Sequence, residues 1–335
     1  MAKSGRYIGL DLFKFFLCYL VICIHLASET YAHFPLYRLA VPTFFMISGY
    51  FSRPKDGENE EEKARRFIIR NLRYLLIGLS INIAFDFVWC YHEGMGVGYY
   101  FTTLFYEDFL LEFFILNRPV TYVGAQIWFL IALFVVSLIH YLLTHCGKLH
   151  WYKVLVPVCF FIYFFFSAYM HFFQETDMPI RYMRNALFFG LPNFGLGYLL
   201  SGKNFHKRSW YKYGYLALGV VLFFLQIAEH TLLHTEYESL EMFVSGVLSG
   251  ACFLLFFTGC KSGKGNWFYR FVGRNGSFYV YVFHMAVAVA LGWFISIPNA
   301  LLRSFVVLVI SFLLYEICFW VEKLIKRKKS SKNLS

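Results

Sequence analysis

The first apolar run of the chain carries the residues best suited to chemistry, all on one side of a helix. Asp11, Lys14 and His25 fall within residues 7–28, and Glu29 follows one turn after His25. An imidazole titrates near neutral pH, so His25 is a candidate general base and Glu29 a candidate to orient it. The structural interpretation stays open: Asp11 and Lys14 are three residues apart and can neutralise each other, and a membrane histidine can serve packing alone.

Two further groups of polar residues interrupt the next apolar runs. Arg70 and Arg73 share one helical face, and paired guanidiniums are suited to holding phosphate. The alternative is that both arginines extend towards the membrane boundary, as basic residues near the ends of spans often do. Pro42 and the Ser48-Gly49 pair break the apolar helix before them and can free backbone groups towards a cavity, although such residues also form simple kinks.

The composition requires a membrane around these residues. The 335-residue chain is 59% hydrophobic and only 15% charged, with a mean hydropathy of +0.54. Runs of about 20 apolar residues recur along it, and each predicts a transmembrane helix. The predicted spans are 7–28, 34–52, 67–91, 126–145, 152–170, 183–201, 210–229, 240–259, 276–295 and 300–322. We therefore predict an all-α, polytopic integral membrane protein with about ten transmembrane helices, formed by residues 1–325, and a basic tail at 326–335.

The distribution of basic residues predicts the orientation. Most of the 31 Lys and Arg residues flank the spans on the side of both termini, so the positive-inside rule places the termini in the cytoplasm. The net charge of +11 therefore indicates a lipid bilayer partner and not nucleic acid. The opposite side has a long outer segment at 92–125, which is predicted to contain a re-entrant or interfacial helix, and it holds few basic residues. These are Arg38, Arg118, Arg181, Arg184 and Arg303.

The eight cysteines lie mostly inside apolar runs and form no C-x-x-C pair. Neither a disulfide framework nor a metal site is therefore predicted.

Taken in order along the chain, the motifs resemble those of the membrane-bound acyltransferase 3 family. The matching residues are Arg6, Asp11, Lys14 and His25 in the first helix; Phe44, Phe45, Ser48, Gly49 and Tyr50 in the second; Arg70 and Arg73 in the third; and, later, Gln126, Trp128, Phe129 and Leu130, then Ser277, Tyr281 and His284. Two positions depart from the family pattern: Lys14 stands where many relatives have arginine, and Tyr50 where the motif has phenylalanine. The chain is most similar to stand-alone forms such as fucose acetylase and intercellular-adhesin polysaccharide modification proteins.

The resemblance implies an enzyme of the cell membrane that moves an acyl group, acetyl in the simplest case, from cytoplasmic acyl-CoA. The implied acceptor is a hydroxyl of a surface glycan or a lipid-linked saccharide. It further implies His25 and Glu29 as catalytic residues. The residues expected to contact the donor are Arg70, Arg73, Lys14, Ser48, Gly49 and His284, the last of which we place in the donor channel or give a structural role with equal weight.

Two other functions fit the same intramembrane polar residues. A transporter or exporter of a sugar or amino-acid-like compound also needs polar groups facing the interior of the bundle. A structural partner in a polysaccharide synthesis complex needs neither His25 nor the arginine pair. Binding and turnover of acyl-CoA by the purified protein would separate the enzyme from both.

Overall fold

The computed structural model describes residues 7–27, 34–55, 57–104, 109–169, 180–202, 211–233, 241–260 and 276–332. Within these ranges the regular elements are all helices and no strand occurs, which confirms the all-α prediction. The helices are α1 (Ile8–Leu26), α2 (Phe34–Tyr37), α3 (Ala40–Ser52), α4 (Glu60–His92), α5 (Val97–Leu104), α6 (Phe109–Phe114), α7 (Trp128–His145), α8 (Tyr152–Tyr163), α9 (Ile180–Met183), α10 (Leu191–Ser201), α11 (Tyr211–Leu233), α12 (Val244–Gly259), α13 (Gly276–Phe294) and α14 (Ala300–Lys332).

Several of these helices can cross a bilayer. Among the described residues, seven are long and apolar enough: Gly9–Leu26, Glu60–His92, Ala125–His145, Leu149–Ser167, Tyr211–Leu233, Gly276–Phe294 and Ala300–Val321. Two shorter apolar helices, Ala186–Ser201 and Val244–Gly259, coincide with two more of the predicted spans. The remaining predicted span, 34–52, forms α2 and α3 with a turn between them. Seven helices are thus supported by length, and a total of about ten stays a prediction.

The outside of the helix bundle is apolar. Leu110, Phe161, Val221, Leu232 and Ile317 are each more than half exposed. In water, so much exposed apolar surface would promote aggregation, whereas lipid chains solvate it. Other polar side chains are buried inside the bundle, among them Asn82, Asp86, Gln126 and His284.

Helix α1 lies at the centre of the bundle. It packs against α3, α12, α13 and α14. Its middle residues Leu17, Cys18, Ile22 and Cys23 are almost completely buried. The helix predicted to carry the reactive residues is therefore enclosed by other helices, where an ionisable side chain can be kept away from lipid.

Two glycines allow α3 and α10 to cross at very short distance. A Cβ atom on Gly49 would lie 1.9 Å from the carbonyl oxygen of Phe194, and a Cβ on Gly197 would lie 2.0 Å from that of Met46. Small residues at such crossings let two helix backbones touch in a membrane. The kink-forming Ser48-Gly49 pair therefore includes a residue that the packing of α10 requires.

A buried carboxylate ties the segment between α6 and α7 to α4. Asp86 of α4 is fully buried and accepts hydrogen bonds from the backbone N–H groups of Tyr122 and Val123, each at 3.0 Å. The hydroxyl of Tyr100 lies 3.4 Å from the same carboxylate. These bonds from Asp86 fix the start of α7, which supplies part of the site. Two short helices, α5 and α6, occupy the predicted outer segment.

Candidate active site

The imidazoles of His25 and His284 meet in the interior of the bundle. Their ring centroids are 5.4 Å apart. About two helical turns closer to the start of both helices, the Cys18 thiol lies 3.4 Å from the carbonyl oxygen of Ser277. Each histidine follows its partner in that contact by seven residues, or about 10 Å along a helix. Helices α1 and α13 therefore run parallel and in register, and this register brings the two histidines together.

From the sequence, His284 is expected either in the donor channel or in a structural role, with equal weight. The structure puts it beside His25, and its role stays a prediction. The register between α1 and α13 decides this placement, and it cannot be derived from the position of His284 within its own span.

The hydrogen bonding of His284 determines which ring nitrogen is basic. Its Nδ1 lies 2.7 Å from the carbonyl oxygen of Tyr281. A carbonyl can only accept, so Nδ1 carries the proton, and Nε2 of the neutral ring is left as an acceptor. The side chain is fully buried, and Nε2 has no hydrogen-bond partner among the described residues. His284 thus presents an unused basic nitrogen inside the protein.

A network of amide groups fixes α13 just below His284. The Tyr281 hydroxyl donates to the backbone carbonyl of Gln126. The Gln126 amide nitrogen donates to the Asn82 side chain at 3.2 Å, and both side chains reach the carbonyl of Val282, at 3.3 and 3.4 Å. The network joins α4, the start of α7 and α13 around one point. Two of the motifs that carry the family resemblance, those at Gln126 and at Tyr281 and His284, therefore meet here.

A cavity of about 120 Å³ opens below this network. Its walls include Ser48 of α3, Tyr74 of α4, and Ser277 and Tyr281 of α13, among mostly apolar neighbours. The Ser48 hydroxyl donates to the Phe44 carbonyl at 2.9 Å. Ser48 therefore lines the cavity, whereas its neighbour Gly49 faces α10, and the donor contacts expected of both residues stay predictions.

Arg70 and Arg73 lie on the same helix as the cavity residue Tyr74. Both arginines are exposed, and neither forms an ion pair with a described residue. Arg66, one turn before Arg70, differs because it pairs with Glu58 and Glu62 at 2.8 and 2.9 Å. The Arg70 guanidinium lies over the ring of Phe67, 5.0 Å from its centroid. Two uncompensated cations thus stand one turn from the cavity.

The remaining predicted residues have separate positions. Lys14 pairs with Asp11 at 3.6 Å and lies 5.9 Å from the centroid of the Phe51 ring, so the internal neutralisation considered for this pair occurs. Lys14 precedes Cys18 by one turn of α1, and Cys18 contacts the cavity residue Ser277. Glu29 lies outside the described residues, so its expected role in orienting His25 stays a prediction.

A charged cluster that was not predicted from the sequence lies near the other end of α1. Glu241 accepts from Arg38 at 2.5 Å and from Arg184 at 3.2 Å. The two arginines belong to the small set of basic residues on the predicted outer side. Their departure from the positive-inside rule was the only sign in the sequence that these arginines are special, and the structure is needed to bring them together with Glu241.

Comparison with known proteins identifies the family. Within the described ranges no group of three His, Cys, Asp or Glu side chains is arranged to hold a metal ion. No curated protein and no solved structure is significantly similar to the chain. The model of the acyltransferase 3 family, described as an acyltransferase domain, matches residues 7–320, which is nearly the whole chain. The protein with this histidine pair inside its helix bundle therefore belongs to the acyltransferase 3 family and is an acyltransferase.

Proposed function

We propose that this protein is a multi-pass enzyme of the cell membrane that transfers an acyl group, acetyl in the simplest case, from cytoplasmic acyl-CoA to a hydroxyl of a cell-surface carbohydrate or lipid-linked saccharide. The observation that carries the proposal is a series of sites along the bundle. It begins at Arg70 and Arg73, for which the described residues supply no ion-pair partner. It continues through the cavity beside Ser48 and ends at His25 and His284. Both termini are cytoplasmic in this proposal, so the arginines lie on the inner side.

The donor would enter from the arginine side. Arg70 and Arg73 offer planar, permanently charged forks for the phosphates of coenzyme A, and their lack of a carboxylate partner among the described residues leaves these donors available. The thioester arm extends into the mostly apolar cavity. Its carbonyl carbon then lies between the Ser48 side and the histidine pair.

The chemistry needs one base and one place for negative charge. His25 removes the proton of the acceptor hydroxyl while its oxygen attacks the thioester carbon, and a C–O bond forms. The tetrahedral oxyanion accepts a hydrogen bond from Ser48, which exchanges its present bond to the Phe44 carbonyl for this one. The intermediate collapses, the C–S bond breaks, and the thiolate of coenzyme A takes the proton from His25. The free Nε2 of His284 accepts a hydrogen bond from a neighbouring hydroxyl of the same saccharide and holds the acceptor in place.

The test uses purified protein in lipid nanodiscs with radiolabelled acetyl-CoA and a mixture of cell-surface saccharides. We expect label to move to saccharide and free coenzyme A to appear in equal amounts. A transporter would bind saccharide without consuming the thioester, and a structural partner would do neither. Absence of thioester consumption in protein that binds saccharide would reject the proposal in favour of transport.

A further inference from the structure

Three arginines surround the end of α1 that carries His25. Arg38 and Arg184 share the carboxylate of Glu241, and both interact electrostatically with the His25 ring. Arg303 of α14 donates from its guanidinium to the carbonyl oxygen of Leu26, the residue after His25, at 2.7 Å. The α2–α3 turn, the segment after α9, and α14 therefore each place one positive charge near the end of α1.

The positive charge at this point exceeds the negative charge that the described residues supply. Arg184 has Glu241 as its only ion-pair partner in that part of the chain, and it shares Glu241 with Arg38. Arg303 has no carboxylate partner there, and its buried Nε has no hydrogen-bond partner. Arginines inside a membrane protein that have too few carboxylate partners within the described part of the chain are candidates for binding a ligand of opposite charge.

Arg184 is held in a position suited to binding. Its guanidinium lies over the ring of Trp128, 5.4 Å from the centroid, which supports one face of the group. One edge bonds to Glu241, and the side chain remains 35% exposed. In contrast, Arg38 is only 7% exposed and bonds to the buried Glu241, as expected for a residue that joins loops. Arg184 therefore has an open edge, whereas Arg38 serves the structure.

Trp128 also connects Arg184 to the reaction centre. It follows Gln126 by two residues at the start of α7, and the Gln126 carbonyl accepts the hydroxyl of Tyr281, which in turn precedes His284 by three residues. An anion bound at Arg184 would therefore be joined to the histidine pair through Trp128, Gln126 and Tyr281.

We propose that the acceptor is an anionic saccharide, whose phosphate or carboxylate is held by Arg184 and Arg303 while its neighbouring hydroxyl lies at His25. This inference rests on the proposed function for the role of the anion, but binding itself requires no acyl transfer. Phosphate and carboxylate both offer a pair of charged oxygens that one arginine guanidinium can bind at the same time. One probe with a carboxylate and one with a phosphate can show which of the two groups the site prefers.

The binding experiment measures thermal unfolding of the protein in nanodiscs with glucuronate, glucose 1-phosphate or glucose. We expect one or both anionic probes to raise the unfolding temperature and glucose to have no effect, with the stronger probe identifying carboxylate or phosphate. Arg184→Gln and Arg303→Gln should each lower the affinity for the anionic probe about tenfold or more, because each removes a charge-assisted contact. Arg184→Lys should keep part of the affinity, since it retains the charge without the fork.

The control is Arg118→Gln, because Arg118 is also on the predicted outer side but is exposed and paired with Glu112 at 2.7 Å. It should bind the anionic probes as the unchanged protein does. His25→Ala should also retain anion binding, which separates this proposal from the proposed function. Equal unfolding shifts with glucose and with the anions, or full anion binding by Arg184→Gln with an intact fold, would overturn the anion site. Anion binding without acyl transfer would instead reject only the proposed function.

Discussion

His25 and His284 are in contact because their helices keep one offset along a common length. The contact between Cys18 and Ser277 joins residues 259 positions apart, and the two histidines have the same separation in sequence. A pair of parallel helices in register preserves such an offset from one contact to the next. The histidine pair is therefore a property of how α1 and α13 pack, and changes to that packing should alter the reaction without touching either ring.

Removing the base should abolish transfer and spare donor binding. We expect His25→Ala to lower kcat by roughly 10² to 10⁴, the usual contribution of a general base. The donor affinity should be unchanged, because the phosphates are assigned to α4. Single-turnover acyl transfer and titration with a non-hydrolysable acyl-CoA analogue measure the two quantities. Near-normal transfer by correctly inserted His25→Ala would remove His25 from the chemistry.

The effect of removing His284 can be distinguished from the effect of weakening the hydrogen bond that holds α13 through Tyr281. His284→Ala removes the free acceptor nitrogen, so we expect kcat to fall by at least about tenfold. Tyr281→Phe removes only the hydroxyl that bonds to Gln126, so its main expected effect is a loss of stability of about 1 kcal/mol. Comparison of kcat with the unfolding temperature for both variants gives the answer. A larger fall in kcat for Tyr281→Phe than for His284→Ala would contradict this assignment.

Arg70 and Arg73 should act on the donor alone. Each charge-assisted hydrogen bond to phosphate is worth roughly 1.5 to 3 kcal/mol, so each Arg→Ala change should raise the KM for acyl-CoA about tenfold or more. Lysine at either position should restore only part of the affinity.

Arg66→Ala is the matched control for this pair, because Arg66 lies on the same helix but is already paired with two glutamates. The KM of Arg66→Ala for acyl-CoA should stay within about twofold of that of the unchanged protein, since exposed ion pairs contribute little. Isothermal titration that gave the same affinity for the unchanged protein and the double Arg70/Arg73 alanine variant would indicate that both arginines only extend towards the membrane surface.

Gly49 should be sensitive to the smallest added side chain. A Cβ there would overlap the Phe194 backbone, so Gly49→Ala should separate α3 from α10 and cost at least about 1 to 3 kcal/mol. Gly214→Ala in α11 is the control, because nothing lies within 4 Å of the added atom. Unfolding temperatures in one detergent compare the two variants. Equal stability of both would show that the crossing can relax.

The Glu241 cluster should make stability depend on pH in the acidic range. Burial acts to raise the pKa of Glu241, but Arg38 and Arg184 outweigh it and lower the pKa below its ordinary value of 4.5. A lowered pKa in the folded state adds stability that is complete above the ordinary value and is lost as pH falls through the folded value. Glu241→Gln should therefore destabilise the protein near neutral pH, by about 3 kcal/mol or more.

The difference between Glu241→Gln and the unchanged protein should shrink as the buffer is acidified below pH 4.5. Unfolding temperatures recorded for both proteins over a pH series test this directly. A constant difference across the series would mean that the carboxylate charge does not contribute to the stability.

Much of the membrane architecture could be predicted from hydropathy, because apolar runs of spanning length leave few alternatives. His25 could be singled out by its residue type and depth. The depth of His284 could not, because it depends on the stagger between α1 and α13, which no local pattern records. Gly49 presented a similar difficulty: a glycine beside a serine suggests freed backbone groups, and only the position of α10 reveals a packing contact.

The outer cluster depends on contacts over long stretches of chain. Arg38 and Glu241 are 203 positions apart, and neither belongs to a periodic motif. Charge counting recorded Arg38, Arg184 and Arg303 as minor exceptions to the orientation rule. Their convergence on the end of α1 is a tertiary fact, and it gives these exceptions a common explanation.

The amide network of Asn82, Gln126 and Tyr281 also has a consequence for movement. A carrier that alternates between inward and outward states must let groups of helices rock against one another around the substrate. Here α4, α7 and α13 are bonded together at mid-height, and sliding α13 by one turn, about 5.4 Å, would break those bonds and part the two imidazoles. We therefore expect the helices to stay still during the reaction cycle. If the proposed function holds, we expect the acyl group alone to cross the membrane, driven by the free energy of the thioester bond and without an ion gradient.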